Sequence, residues 1–597
     1  MHTIKKYFIA ASIVFLGVPV GVFADEIQYG FIESIKGSNE IHVKYKGPGG
    51  EQSYSCNITS AKCKKFDPKK TPFRSADAIE LPITFSPGGE YGIMAVSQTA
   101  PTKYVLVDIN KSLTPTPLPV NAIGGVRKVV FSRDSSRVVF IGNSMIYTYD
   151  IKTKKVYSVV ASAGTYLSLV SPSGRYITSY SDSNDQHQII DLQTGKTGYI
   201  SSGTAAYLEI SQNGKWGAFR SVESGRHVLK MVTLSNNEVS TLFSKSKAIE
   251  DYIFHDDRVY FTANARTPLT LSLYEYDPVS KETKEIDSHV SYGDYIKSVG
   301  KKLAYYKVIG NDTHVHLYSS DKGIEALLPI KTTELSIQEK EIKVANRSAV
   351  LWDDGEDEEK PLVIWLHGGP QRQTSLGYHS YLSYAVYDEL LERLVGAGAR
   401  VVKFDYMGST GYGKKIEQGL IKKIGVADVE DVTEAIEELT DEYETDGVYL
   451  IGNSYGGYLG LKMVVEEPKR IDGVVSINGV TDWKVLIERI PGSIFAKDFG
   501  GVPGPLTNKY YKKADIISHL DDVPEDTPIA VVYGTSDTTI PPIQSKTFIE
   551  EAKKEDKNVI TLELLGEEHV LRKRKSLDRL CDTVTEVFDL SSSVCDN

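Results

Sequence analysis

The chain has 597 residues, enough for at least two domains with cores of their own. A hydrophobic content of 41% and a charged content of 25% are ordinary for a globular protein and exclude both a largely disordered chain and a helical membrane bundle. The formal charge of −11 argues against the broad basic surface that nucleic-acid binding needs, so no nucleic-acid partner is expected.

The amino terminus reads MHTIKKYFIAASIVFLGVPVGVFADE, with Lys5 and Lys6 ahead of an apolar run that closes on Val22-Phe23-Ala24. This is the pattern of a signal peptide over residues 1–24, cut after Ala24, which predicts export to the periplasm or the extracellular medium. The competing reading, a retained anchor, is disfavoured by Pro19 in an already short run, so no stable membrane insertion is expected after cleavage. Cys56 and Cys63, like Cys581 and Cys595, are near neighbours in sequence. Export makes two short-loop disulfides the favoured pairing, and zinc is the weaker reading because no CxxC is present.

Residues 25–340 are repetitive. The phrases TFSPGGEYGIMAV, VFSRDSSRVVFIG, LVSPSGRYITSYS and EISQNGKWGAFRS align on Ser86, Ser132, Ser171 and Ser211, at steps of 46, 39 and 40 residues. Each is a strand, a polar turn and a second strand, and two further strands follow before the next copy, as in MIYTYDIKTKKVYSVV. Four strands in about 40 residues is the arithmetic of a β-propeller blade. Fainter copies near 254 and 298, and residues 26–64, bring the expectation to about seven blades. A fixed period disfavours a β-sandwich array. His314-Val315-His316 falls within one such strand and reads as a packed or exposed pair rather than a metal site.

Residues 341–597 change character. Apolar runs at PLVIWLHGG, RVVKFDY, GVYLIGNS, IDGVVSING, PIAVVYG and VITLELLG alternate with helical stretches such as VEDVTEAIEELTDEYE. That alternation predicts a mainly parallel sheet covered on both faces, and the serine motif within it makes an α/β-hydrolase domain the expected fold. The acidic loop WDDGEDEEK reads as a solvated turn, and Arg572-Lys573-Arg574-Lys575 as a solvated helix face. The stretch GYHSYLSYAVYDELLERL reads chiefly as amphipathic helix packing.

Gly452-Asn453-Ser454-Tyr455-Gly456 follows a strand and opens a helix, the context in which G-x-S-x-G becomes a nucleophile elbow rather than a structural corner. The order serine, acid, histidine then leaves His519 and His569 as bases. His569 lies just past the last expected strand and is preferred, whereas His519 precedes a strand and reads as a surface residue. Asp537, after PIAVVYG, stands where the acid should be; Asp521, Asp522 and Asp526 read as turn and capping residues. For the oxyanion, the Tyr455 N–H is paired with that of Gly369 in LHGGP, where glycine lets the backbone approach a developing negative charge.

Read in order, LHGGP, FDYMGSTGYG, GVADVEDV, GNSYGGY, FGGVPG, GTSDTTIPPIQS and GEEH resemble the prolyl oligopeptidase family of serine peptidases, particularly its acylaminoacyl-peptidase and dipeptidyl-peptidase-like branch. The resemblance implies a peptidase that needs no metal or organic cofactor and whose propeller covers the active site and restricts entry to short or unfolded peptides. Three positions depart from the pattern. Met407 and Thr539 stand where relatives carry arginine, and Glu568 stands where glycine commonly precedes the histidine. All three leave the triad intact and bear on specificity; the alternatives they leave open are an esterase or amidase acting on small molecules and a catalytically weak protein that binds through its propeller.

Overall fold

The computed structural model describes residues 31–595 apart from several connections, the longest at 67–82, and stretches at 329–336, 356–357, 378–381 and 491–492. The expected signal peptide lies outside the described residues. No helix among the described residues is long and apolar enough to cross a membrane.

The chain folds as an amino-terminal β-propeller followed by an α/β-hydrolase domain. Successive four-stranded sheets occupy residues 31–66, 83–117, 126–160, 165–201 and 208–243, and an eight-stranded sheet spans 249–328. Neighbouring strands are antiparallel, and the eight-stranded sheet is joined across its middle by one pair, Val290 with Lys307. The first and last sheets meet, with the strand Lys62–Phe66 against Gly323–Leu328. Cys56 and Cys63 are register partners on adjacent strands of the first sheet.

The aligned serines have a common structural task. Ser86, Ser132, Ser171 and Ser211 are all buried. Each Oγ accepts the backbone N–H five residues ahead, from Tyr91 at 3.0 Å, Arg137 at 2.9 Å, Tyr176 at 2.9 Å and Trp216 at 3.0 Å. Each serine N–H in turn donates to the carbonyl of that same residue. A short hydroxyl thus closes the turn between the first two strands of each unit from within.

The hydrolase sheet runs β1 (Gln338–Val344), β2 (Arg347–Asp353), β3 (Lys360–Leu366), β4 (Arg400–Phe404), β5 (Thr445–Asn453), β6 (Gly473–Ile477), β7 (Ile529–Gly534) and β8 (Val559–Leu564). Their spatial order is β1-β2-β4-β3-β5-β6-β7-β8, with the β1–β2 and β2–β4 pairs antiparallel and the remainder parallel. β4, β6 and β7 are buried at every position, which is why they read as unbroken apolar runs. Five long helices cover the sheet: α1 (Leu382–Gly396), α2 (Ala427–Glu442), α3 (Tyr455–Glu466), α4 (Pro542–Lys554) and α5 (Arg574–Val587). One core holds Val432, Leu459 and Phe548 from α2, α3 and α4; the other holds Leu391 and Leu577 from α1 and α5. Cys581 of α5 is bonded to Cys595, and Arg393 of α1 donates to the Cys595 carbonyl at 3.2 Å, fastening the last residues to the domain.

Two surface expectations change. Asp353, in the acidic loop, accepts from the Arg400 Nε at 2.6 Å and the Lys360 Nζ at 3.0 Å, so its carboxylate is engaged and held at about 2 against the desolvation that would raise it. Three of the four basic residues are likewise engaged, while Lys575 is exposed: Arg572 faces Glu568 at 3.3 Å, Lys573 donates to the Leu565 carbonyl at 2.8 Å, and Arg574 pairs with Glu389. Local sequence shows the charges but not these partners, several of which come from other elements.

Candidate active site

Ser454 sits between β5 and α3 with φ 55° and ψ −117°, a conformation outside the regions that non-glycine residues favour. The glycines around it are required by crowding. A Cβ on Gly456 would fall 1.9 Å from the Leu366 carbonyl oxygen, and one on Gly452 would fall 2.5 Å from the Gly456 carbonyl carbon. The turn is anchored by the Ser454 N–H, which donates to the Ile477 carbonyl at 2.8 Å.

His569 and Asp537 come together although 32 residues separate them, with Nδ1 2.7 Å from Oδ2. The Asp537 side chain is fully buried, and its other oxygen accepts the N–H groups of Thr539 at 2.7 Å and Ile540 at 2.9 Å. Three hydrogen bonds therefore fix the carboxylate toward the imidazole. His519, by contrast, is half exposed on a short 3-10 turn beside Asp522.

Two residues that shape the histidine loop escaped the sequence reading. Asn478, just past β6, donates from Nδ2 to the His569 carbonyl at 3.0 Å and accepts the Gly534 N–H at 2.8 Å, so it links the ends of β6 and β7 to that loop. Buried Glu567 accepts the backbone N–H groups of Arg572 at 2.9 Å and Lys573 at 3.0 Å. Glu567 lies inside the GEEH motif and was there to be weighed. Asn478 carries no local signal beyond its place at a strand end.

The LHGGP loop packs against the elbow: a Cβ on Gly368 would lie 3.2 Å from the Ser454 Cβ. Gly369 has φ 134°, inside the region that favours glycine. The loop is held by the Tyr384 hydroxyl on the Gly368 carbonyl at 2.9 Å and by the Tyr406 hydroxyl on the His367 carbonyl at 2.5 Å. Behind it, His367 Nε2 lies 2.8 Å from the Ser409 Oγ and 3.4 Å from the Asp405 carboxylate. Burial disfavours charge on both groups, taking His367 down to about 4 and Asp405 up to about 7. Tyr455, the other expected donor, opens α3, and its buried hydroxyl donates to Asp428 at 2.6 Å; burial raises that carboxyl to about 6.

The departures are accommodated individually. Met407 packs against the core, and Arg347 of β2 pairs with Asp431, which also accepts the Met407 backbone N–H. Thr539 is exposed, while its N–H holds Asp537. Glu568 is exposed and faces Arg572. His316 is buried 3.6 Å from Asp287, and its ring centroid lies 6.4 Å from that of His314.

A strained serine between strand and helix, a histidine–carboxylate pair at neighbouring strand ends and a preceding propeller define the class as a propeller-bearing α/β-hydrolase. Residues 387–589 match the prolyl oligopeptidase family. Dipeptidyl aminopeptidase BIII of Pseudoxanthomonas mexicana is 25% identical over 327 residues, covering 52% of this chain and 45% of that protein. The acylamino-acid-releasing enzyme of Arabidopsis thaliana is 25% identical over 224 residues, covering 35% of this chain and 28% of its own length. The match to each of these two relatives thus spans less than half of the relative. Among solved structures, a Mycobacterium tuberculosis puromycin-hydrolyzing peptidase superposes with a TM-score of 0.67 at 16% identity, covering 96% of this chain and 97% of that one. Pyrococcus horikoshii acylaminoacyl peptidase gives 0.62 at 17% identity, covering 91% and 92%. These two likenesses concern the architecture.

Proposed function

We propose that this chain is an exported serine peptidase acting on short peptides. The observation that carries the reading is the hydrogen bond of 2.7 Å between His569 Nδ1 and the buried Asp537, in a domain that also presents Ser454 at a strained strand-to-helix turn. In the proposed cycle Ser454 Oγ attacks the scissile carbonyl while His569 Nε2 takes its proton. Asp537 keeps the other ring nitrogen protonated and stabilises the imidazolium. The N–H groups of Tyr455 and Gly369 hold the oxyanion. His569 then protonates the leaving amine, an acyl-enzyme remains, and water, deprotonated by His569, releases the acid.

The propeller is proposed to restrict entry to short or unfolded chains. The leader reading of residues 1–24 supports export to the periplasm or the medium, and the Cys581–Cys595 disulfide is in keeping with an oxidising compartment. Names of the relatives support a peptide or acyl-peptide substrate. A second reading, an esterase or amidase acting on small molecules, draws on Met407 and Thr539, where cations that relatives carry are missing.

The test is hydrolysis of a dipeptidyl anilide with a free amino group and of its N-acetylated counterpart, by the mature protein and by Ser454→Ala. Cleavage of either compound, lost in the variant, is the expected result, and the preferred compound assigns the terminus. Turnover of simple aryl esters with neither anilide cut would overturn the peptidase reading in favour of the esterase.

A further inference from the structure

The propeller does more than stand beside the hydrolase domain, because one of its loops is built into the site's supports. The connection after the strand Arg258–Ala263 begins at Asn264 and ends ahead of Leu271–Asp277. Leu269, in this connection, is 1% exposed and packs in the hydrolase core with Tyr387 and Leu391 of α1. Asn264 is also buried. Its Oδ1 accepts the Ala248 N–H at 2.7 Å within the propeller, and its Nδ2 donates to the Gly411 carbonyl at 2.7 Å across the seam. The reciprocal contact comes from Gln373, whose Nε2 donates to the Pro268 carbonyl at 2.8 Å while its Oε1 accepts the Thr410 hydroxyl at 3.1 Å.

These contacts fall on two hydrolase loops that are themselves tied together. Thr410 N–H donates to the Arg372 carbonyl at 2.8 Å, and Thr374 N–H donates to Asp405 at 2.7 Å. Gly369 lies at the start of the first loop, four residues before Gln373. A second propeller contact, the Gly225 carbonyl accepting the Lys414 N–H at 2.8 Å, fixes the far end of the second loop.

We propose that Asn264 and the Pro268 carbonyl of the propeller, acting through Gly411 and Gln373, position the Gly369 side of the oxyanion site. Asn264 and Gln373 are positioning residues, since neither reaches the reacting atoms. The inference rests on the proposed role of the Gly369 N–H. An oxyanion donor gains its effect from being held in place before charge develops, and a displacement of about 1 Å can cost a factor of about a hundred in rate.

The experiment uses the full-length mature protein and the variants Asn264→Ala, Gln373→Ala and Thr267→Val. Thr267 lies on the same loop, but its hydroxyl donates to Glu341 of β1 at 2.7 Å and accepts the Leu269 N–H at 3.3 Å, contacts that involve neither Gln373 nor Gly411. Readouts are kcat and KM for the cleaved anilide, inhibition by a peptide aldehyde that forms a tetrahedral adduct, and the rate at which a fluorophosphonate labels Ser454. Asn264→Ala and Gln373→Ala are expected to lower kcat and labelling by about tenfold and weaken the aldehyde in parallel, with KM within about twofold. Thr267→Val is expected to keep kcat within about twofold even where the unfolding temperature drops. Unchanged kcat and labelling in the first two variants, or an equal loss in Thr267→Val, would overturn the proposal. Wild-type protein that labels at Ser454 but cuts no anilide would overturn the peptidase reading instead, and the labelling rates would still decide the positioning role.

Discussion

The propeller and the hydrolase domain both hold the chain in tight turns, but they draw their restraints from different distances. In the propeller, Ser132 closes on Arg137 five residues later, and Ser86, Ser171 and Ser211 repeat the device with Tyr91, Tyr176 and Trp216. In the hydrolase domain local bonds, such as those of Asp537 with Thr539 and of Glu567 with Arg572, are joined by remote ones. Asn478 reaches Gly534 and the His569 carbonyl, separations of 56 and 91 residues, and Asp537 reaches His569 across 32. A turn closed by its own residues can recur along a chain. A turn closed by distant ones is singular, and a site that needs three groups fixed relative to one another is made of such turns.

The contrast is sharpened first at the nucleophile. Ser454→Ala should lower kcat/KM by at least about 10⁴-fold while leaving the unfolding midpoint near that of the parent, since the hydroxyl is expected to serve chemistry alone. Residual activity above about a hundredth of the parent, in a preparation free of contaminating hydrolase, would place the nucleophile elsewhere.

Leu269→Ala is the next largest effect, because it asks whether the two regions are independent at all. Deleting most of this buried side chain should destabilise the hydrolase domain by about 2–5 kcal/mol, read from urea denaturation followed by hydrolase tryptophan fluorescence. A change below about 0.5 kcal/mol would show that the propeller loop only leans on that core.

Solution pH offers a milder probe of the seam. The buried His227 ring accepts the Ile249 N–H at 3.1 Å, and desolvation, with Arg220 and Lys414 nearby, takes it down to about 3. An unfolded histidine binds a proton below about 6.5, whereas the folded one stays neutral, so its contribution is complete above that pH and is lost as pH falls toward 3. Between pH 6.5 and 5 the loss is about 2 kcal/mol. His227→Gln, which retains an acceptor for Ile249, should flatten that part of the stability profile. An identical profile in parent and variant would remove His227 from the account.

The smallest effect belongs to the repeated corner. Ser132→Ala should cost about 1–2 kcal/mol of propeller stability without altering kcat, because one backbone N–H loses its buried partner. Loss of activity in this variant would show that propeller turns communicate with the site more generally than through Asn264 and Pro268.

The same difference in range explains what could be read from sequence. The propeller was legible through a period, and the serines that mark it proved to be the turn-closing groups themselves. The sheet was legible because β4, β6 and β7 are buried on both faces and read as continuous apolar runs. Ser454, Asp537 and His569 could be nominated because motif and chain order limited the choice, and the structure brings two of them, Asp537 and His569, into hydrogen-bond contact. Asn478, Asn264 and Gln373 were not found, since nothing within ten residues of any of them names its partner. Arg347 escaped for a related reason: its partner Asp431 lies 84 residues away on α2.

The serine corner also bears on how such a chain can change over generations. A unit that closes its own first turn carries that part of its folding instruction within itself, so duplication, loss or exchange of a unit leaves its neighbours' corners intact. The strands around residues 249–290 do not share that liberty, because the loop they carry supplies Leu269 to another domain's interior and Asn264 to Gly411. That loop, like the Gly225 turn that accepts the Lys414 N–H, ties its unit to the hydrolase domain in a way the serine corners do not.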